Sequence, residues 1–156
     1  MGAGNSQDGK PGPGEIFAYF TEIGIISQLS SALLARVLPD GVHPSHFAIV
    51  QHLIRRGDGK PPVRIAAAMQ ITKATMTHSL AVLEKRGFVE TRPSPEDARS
   101  KLVYLTDAGR AFHAEAIEGV IRAFGRIIGD EHAEIMRQAM PGLVAIRKLL
   151  DDNRDL

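Results

Sequence analysis

Thr72-Lys73-Ala74-Thr75-Met76-Thr77-His78 gathers three hydroxyls, an ammonium and an imidazole into one short stretch. A threonine hydroxyl can donate to or accept from a base edge or a phosphate, and its methyl can sit against that of thymine. Lys73 suits a phosphate or a guanine. His78 can donate to a phosphate, with a charge that depends on pH. Thr72 is better explained as a helix cap. A second group follows, Arg92, Asp97, Arg99 and Lys101, set in and beside the polar run Pro93–Ser100. A guanidinium such as that of Arg99 suits a narrow minor groove, where negative potential concentrates. The competing account is a local Asp97–Arg99 surface ion pair, which contributes little energy.

Other residue types with chemistry lack the spacing to use it. The six histidines (His43, His46, His52, His78, His113, His132) include no H-E-x-x-H pair. His113 and Glu118 stand five positions apart, off a common helical face, so structural or solvated histidine is expected and a metal site is not. Glu96-Asp97 and Asp151-Asp152 lie in a loop and near the C-terminus, where solvation explains them. There is no G-x-S-x-G, no Walker A and no G-x-G-x-x-G in a strand–helix context. No catalytic residue and no cofactor are therefore expected. Cys is absent, which excludes disulfides, thiolate metal sites and thiol redox sensing.

The elements that position the first two groups can be read from periodicity and breakers. Residues 1–14 read as a flexible Gly/Pro tail, followed by a helix from Glu15 to about Leu38 with an unusually broad apolar face. Leu38-Pro39-Asp40-Gly41 breaks it. Pro44 opens a second helix to about Arg55, with Phe47, Val50 and Ile54 as its stripe. Pro61 and Pro62 open a short third helix that buries Ile65, Ala66 and Met69. After a turn at Gln70-Ile71, Thr72 caps a fourth helix from Lys73 to Arg86, closed by Gly87. Phe88–Arg92 and Lys101–Leu105 read as the strands of a hairpin with a long polar tip, a wing. Thr106 caps a fifth helix, and a last helix starts near Glu131, with Pro141 expected to kink or interrupt it.

Charge follows the same division. Of the 156 residues, Arg55–Lys101 hold ten basic and five acidic ones, a surplus of five positive charges. The flanks are acidic, since the whole chain carries only +1. A basic middle between acidic flanks is the footprint of a nucleic-acid module between non-binding helices. No signal-peptide pattern opens the chain and no 18 successive apolar residues occur, so a soluble cytoplasmic protein without membrane association is expected.

Ile65–Arg110 resembles the core of the MarR (multiple antibiotic resistance regulator) family. The likeness rests on three parts in register: the helix-turn-helix with Thr72–Thr77, the LEKRGFVE junction and the wing signature DARSKLVYLTDAGR. It implies a mainly α fold, a winged helix-turn-helix with flanking N- and C-terminal dimerisation helices and a two-stranded β wing. The division is tail 1–14, N-terminal dimerisation helix 15–38, winged module 39–105 and C-terminal dimerisation helices 106–152. It implies a homodimer on pseudo-palindromic double-stranded DNA, a repressor modulated by a small-molecule effector. The DNA-contacting set is Thr72, Lys73, Ala74, Thr75, Thr77, His78, Arg92, Arg99 and Lys101, with Arg99 in the minor groove and Asp97 supporting the wing. His78, Thr91 and Ala98 stand where many relatives carry Arg. Family ligand pockets lie between dimer helices and winged module, where His46 and His113 are candidates to line one. The rival classes are a winged-helix module that binds protein instead of DNA, and a small-molecule binding or catalytic protein.

Overall fold

In the computed structural model, which describes residues 10–97 and 99–154, the described residues form six helices and one two-stranded sheet. The order is α1 (Pro13–Ala35), α2 (Pro44–Arg56), α3 (Pro62–Ala68), α4 (Lys73–Lys85), β1 (Val89–Pro93), β2 (Lys101–Leu105), α5 (Asp107–Phe124) and α6 (Asp130–Asp152). The described residues divide into two compact units, one up to Ile117 and one from Glu118.

The first unit is built around the side chains that the helical and strand periods select. Ile49, Val50 and Leu53 of α2, Ile65 of α3, Met76 and Leu83 of α4 and Val103 of β2 are all essentially inaccessible. The α2 stripe closes with Leu53, while Ile54, expected inside, stays 36% exposed. Leu53 is three residues past Val50 and falls on the face already fixed by Phe47 and Val50. The turn between α3 and α4 is made by Gln70, a non-glycine residue at φ 53°. The strands pair antiparallel, with Val89 opposite Leu105 and Pro93 opposite Lys101. Phe88, expected in β1, precedes it instead and stacks on Phe112 with ring centroids 4.2 Å apart.

Two boundaries shift for backbone reasons. Pro13 occupies the first helical position of α1, where its missing N–H costs nothing, so the helix begins inside the expected tail. The Gly12 N–H donates to the Glu15 carboxylate (2.7 Å) and closes that end. At the other end α1 stops at Ala35, and Leu38 joins the core of the winged module. Leu38 precedes Pro39, which disfavours helical backbone at that position.

The terminal helices look different. None of the residues of α1 or α6 is buried. Phe17 is 76% exposed, and Ile26 and Leu29 are nearly as open. By length and composition alone α1 is apolar enough to cross a membrane, which the absence of an unbroken apolar run had not suggested. Its interruptions are mostly Gly, Ser and Thr, with few charges. In the second unit, α6 runs uninterrupted through Pro141. The proline removes one backbone donor, but helical bonding on both sides carries the segment across. Ile128, Met136, Met140 and Pro141 line an apolar recess on α6.

Candidate nucleic-acid interface

The residues singled out at the start of α4 are held by local hydrogen bonds before anything binds. Thr72 sits in extended backbone and its hydroxyl accepts the Thr75 N–H (3.1 Å), a helix cap that satisfies one of the otherwise orphaned donors. The Thr72 and Thr75 hydroxyls also bond to each other (2.9 Å). Thr77 donates its hydroxyl proton to the Lys73 carbonyl (2.9 Å). That leaves its oxygen lone pairs and its methyl to face outward, so it can accept from an exocyclic amine or pack on a thymine methyl. Lys73, Ala74, Thr75, Thr77 and His78 are all exposed, while Met76, Ser79, Leu80 and Leu83 anchor the opposite face.

The wing is organised from its tip inward. The Asp97 carboxylate accepts the Arg99 backbone N–H (2.9 Å), and Ser100 N–H donates to the Asp97 carbonyl (2.8 Å). Ser94 N–H donates to the Ser100 carbonyl (2.8 Å) and closes the loop. Asp97 therefore holds the turn through the backbone, leaving the exposed Arg99 side chain on the outside of that turn. Arg92 is tied down differently. Its guanidinium lies 4.9 Å from the Tyr104 ring centroid and is ion-paired with Glu90. Ala98, between Asp97 and Arg99, lies outside the described residues.

Helix and wing meet at one groove of about 370 Å³. Lys73, Met76 and Thr77 line it from α4, Arg99, Ser100 and Lys101 from the wing, and Pro61, Pro62 and Val63 from the start of α3. Three cations and a threonine thus share one concave surface without a carboxylate in its lining. Thr72, Ala74, Thr75, His78 and Arg92 are not part of that lining. The exposed His78 imidazole is close enough to disfavour a charge on His46 of α2.

His46 and His113 are both knitted into the first unit. His46 is 3% exposed, and its Nδ1 accepts the His43 N–H (3.1 Å) at the start of α2. Its ring lies 5.4 Å from that of His43. His113 stacks flat on Phe47 (5.3 Å between centroids, planes 4° apart) and is hydrogen-bonded to the Gln51 side chain. Burial lowers the pKa of both below the usual histidine value, and the His43 and His78 imidazoles lower that of His46 further. No group of three His, Asp or Glu side chains suited to a metal ion occurs among the described residues.

Several supports of the site carry no sequence signal by themselves. Thr91 donates to Glu84 (2.6 Å), joining β1 to α4. Arg86 donates to the Asp40 carbonyl and fixes the far end of α4. Asp58, in the loop between α2 and α3, accepts the Leu105 N–H at the base of β2 (3.0 Å). The first joins two different elements and the other two pair residues 46 and 47 positions apart, none of which local pattern can show.

Comparison with known proteins agrees with this architecture. Residues 40–100 match the family model described as MarR family. The chain is 32% identical over 122 residues to the transcriptional regulator HosA of Escherichia coli O111:H-, spanning 76% of this chain and 89% of that protein. The crystal structure of apo wild-type MarR from E. coli superposes with a TM-score of 0.68 at 21% identity, over 80% of this chain and 94% of the other. A mutant of that MarR complexed with operator DNA superposes with a TM-score of 0.61 at 22% identity, over 83% and 95%. With the helix-turn-helix, the wing and a relative matched over most of its length, the chain belongs to the MarR family of winged helix-turn-helix transcriptional regulators.

Proposed function

We propose that the protein binds double-stranded DNA as a homodimer, with α4 in the major groove and the wing along the adjacent minor groove. The observation that carries the reading is the shared groove in which Lys73, Thr77, Arg99 and Lys101 converge. A surface with three cations from two elements matches the polyanionic backbone of a duplex, and Thr77 brings the acceptor and methyl that read bases. The relative bound to operator DNA is built on the same fold, which supports this docking. Thr72, Ala74, Thr75 and His78 complete the face of α4 turned to the duplex, and Arg92 adds to its charge. Within this reading the dimer acts in the cytoplasm and represses by occupying a pseudo-palindromic operator. A small molecule held near His46 and His113 would relieve it by changing the spacing of the two modules.

The test is a salt titration of binding to an operator-like duplex and to a scrambled one. Thr77→Ala should weaken the operator complex more than the scrambled one, by about 1 kcal/mol. Arg99→Ala should weaken both and lower the salt slope by roughly one unit for a lost phosphate contact. Unchanged affinity for both variants at every salt concentration would remove α4 and the wing from the interface.

A further inference from the structure

The wing must be aimed as well as charged, and the residue that aims it lies outside both the helix and the hairpin. β2 has β1 on one edge only. Its other edge is met by the loop after α2, where Gly59 N–H donates to the Val103 carbonyl (2.7 Å) and Val103 N–H donates to the Lys60 carbonyl (3.0 Å). This pairing covers Val103 and then stops, because Gly57 and Gly59 turn the chain away through positive φ angles of 82° and 71°. Leu105 N–H is therefore left facing a turn with no carbonyl to receive it. The Asp58 carboxylate, set between the two glycines, takes that place at 3.0 Å. The same oxygen lies 3.5 Å from the Arg110 guanidinium on the first turns of α5.

We propose that Asp58 is the positioning residue of the wing, locking the base of β2 to the α2–α3 loop and to α5 so that Arg99 and Lys101 meet Lys73 and Thr77 across one groove. This rests on the DNA-binding reading above. The lever is long. A five-residue strand spans about 17 Å, so a tilt of about 10° at Leu105 moves the wing tip by about 3 Å. That is comparable to the length of a hydrogen bond, enough to take a guanidinium off its phosphate or groove.

Asp58 acts through the wing, so its effect should depend on Arg99. The probe is a fluorescein-labelled duplex enriched by the wild-type protein from a random-sequence pool. Asp58→Ala should weaken its binding by about tenfold. Asp58→Asn, which keeps an oxygen to receive the Leu105 N–H, should stay within about threefold of wild type. In the Arg99→Ala background, Asp58→Ala should cost clearly less than it does alone, since one of the two wing cations it positions is already gone. Hydrogen exchange without DNA gives a second readout: the Leu105 amide should exchange slowly in the wild type and in Asp58→Asn, and fast in Asp58→Ala. If Asp58→Ala does not fold, Arg110→Ala, which removes the group orienting the carboxylate, replaces it in the cycle with a smaller loss expected. Losses that multiply independently with Arg99→Ala, or a variant binding as wild type, overturn the proposal. If the wild type enriches no duplex, the DNA-binding reading itself falls. If Arg99→Ala weakens binding while Asp58→Ala does not, only the role of Asp58 falls.

Discussion

His46 shows how one side chain can link the stability of the fold to the acidity of its surroundings. Its Nδ1 is committed as an acceptor of the His43 N–H, and its ring is buried, so a second proton has to displace that bond in a poorly hydrated place. The folded protein therefore binds a proton on His46 less readily than the unfolded chain, whose imidazole has the ordinary value of 6.5. The stability this confers is complete above that value and is lost as pH falls through the lowered folded pKa. His113, whose pKa is also lowered by burial, adds in the same direction. Urea midpoints measured from about pH 7.5 down to 5 should fall, and His46→Gln should flatten the curve. An identical pH profile for wild type and variant would assign the effect elsewhere.

At the scale of elements, Gly109 decides how closely α5 can approach the chain at Phe88, just before β1. A Cβ built there would lie 2.0 Å from the Phe88 carbonyl oxygen, and backbone cannot swing aside as a side chain can. The same corner is tied by Thr106, whose hydroxyl accepts the Gly109 N–H (3.0 Å) and donates to the Gly87 carbonyl. Gly109→Ala should cost about 2 kcal/mol, seen as a lower urea midpoint with an unchanged slope. Unchanged stability would mean that α5 sits farther from Phe88 than the structure has it. The sequence exposes this architecture unevenly. Thr72 and Thr106 are legible because caps act within three residues of themselves, and Met76, Leu80 and Leu83 because helical spacing is local. Ile54 misleads because a wide apolar run allows more than one face, and only the neighbours decide between it and Leu53. Pro141 does not interrupt α6, one of the two outcomes it suggests, because one lost hydrogen bond need not end a helix. Asp58 was silent altogether, since its partner Leu105 is 47 residues away. The same limit separates Lys73 and Thr77 of α4, recognisable one by one, from the groove they share with the wing.

For the whole molecule, the balance of apolar surface is the central fact. The first unit closes a core of its own, whereas α1 and α6 have no buried residue and each leave large apolar side chains exposed. Such surface is unusual on a lone soluble protomer and fits a second copy. Sedimentation at micromolar concentration should give about twice the 16.9 kDa chain mass. Phe17→Asp, on the most open part of α1, should shift the population toward single chains without lowering the stability of the winged module. A wild type that sediments as single chains removes the two-fold operator along with the dimer.

The unburied terminal helices also bear on how much protein is needed before anything is regulated. If the reading half of the chain folds by itself and the joining half is completed only by another chain, abundance becomes an input in its own right. Below the dissociation constant of the pair, the number of competent readers rises with the square of the number of chains. Halving the supply would then remove about three-quarters of them. A modest change in synthesis or turnover would register as a sharp change in promoter occupancy, with no signal molecule involved.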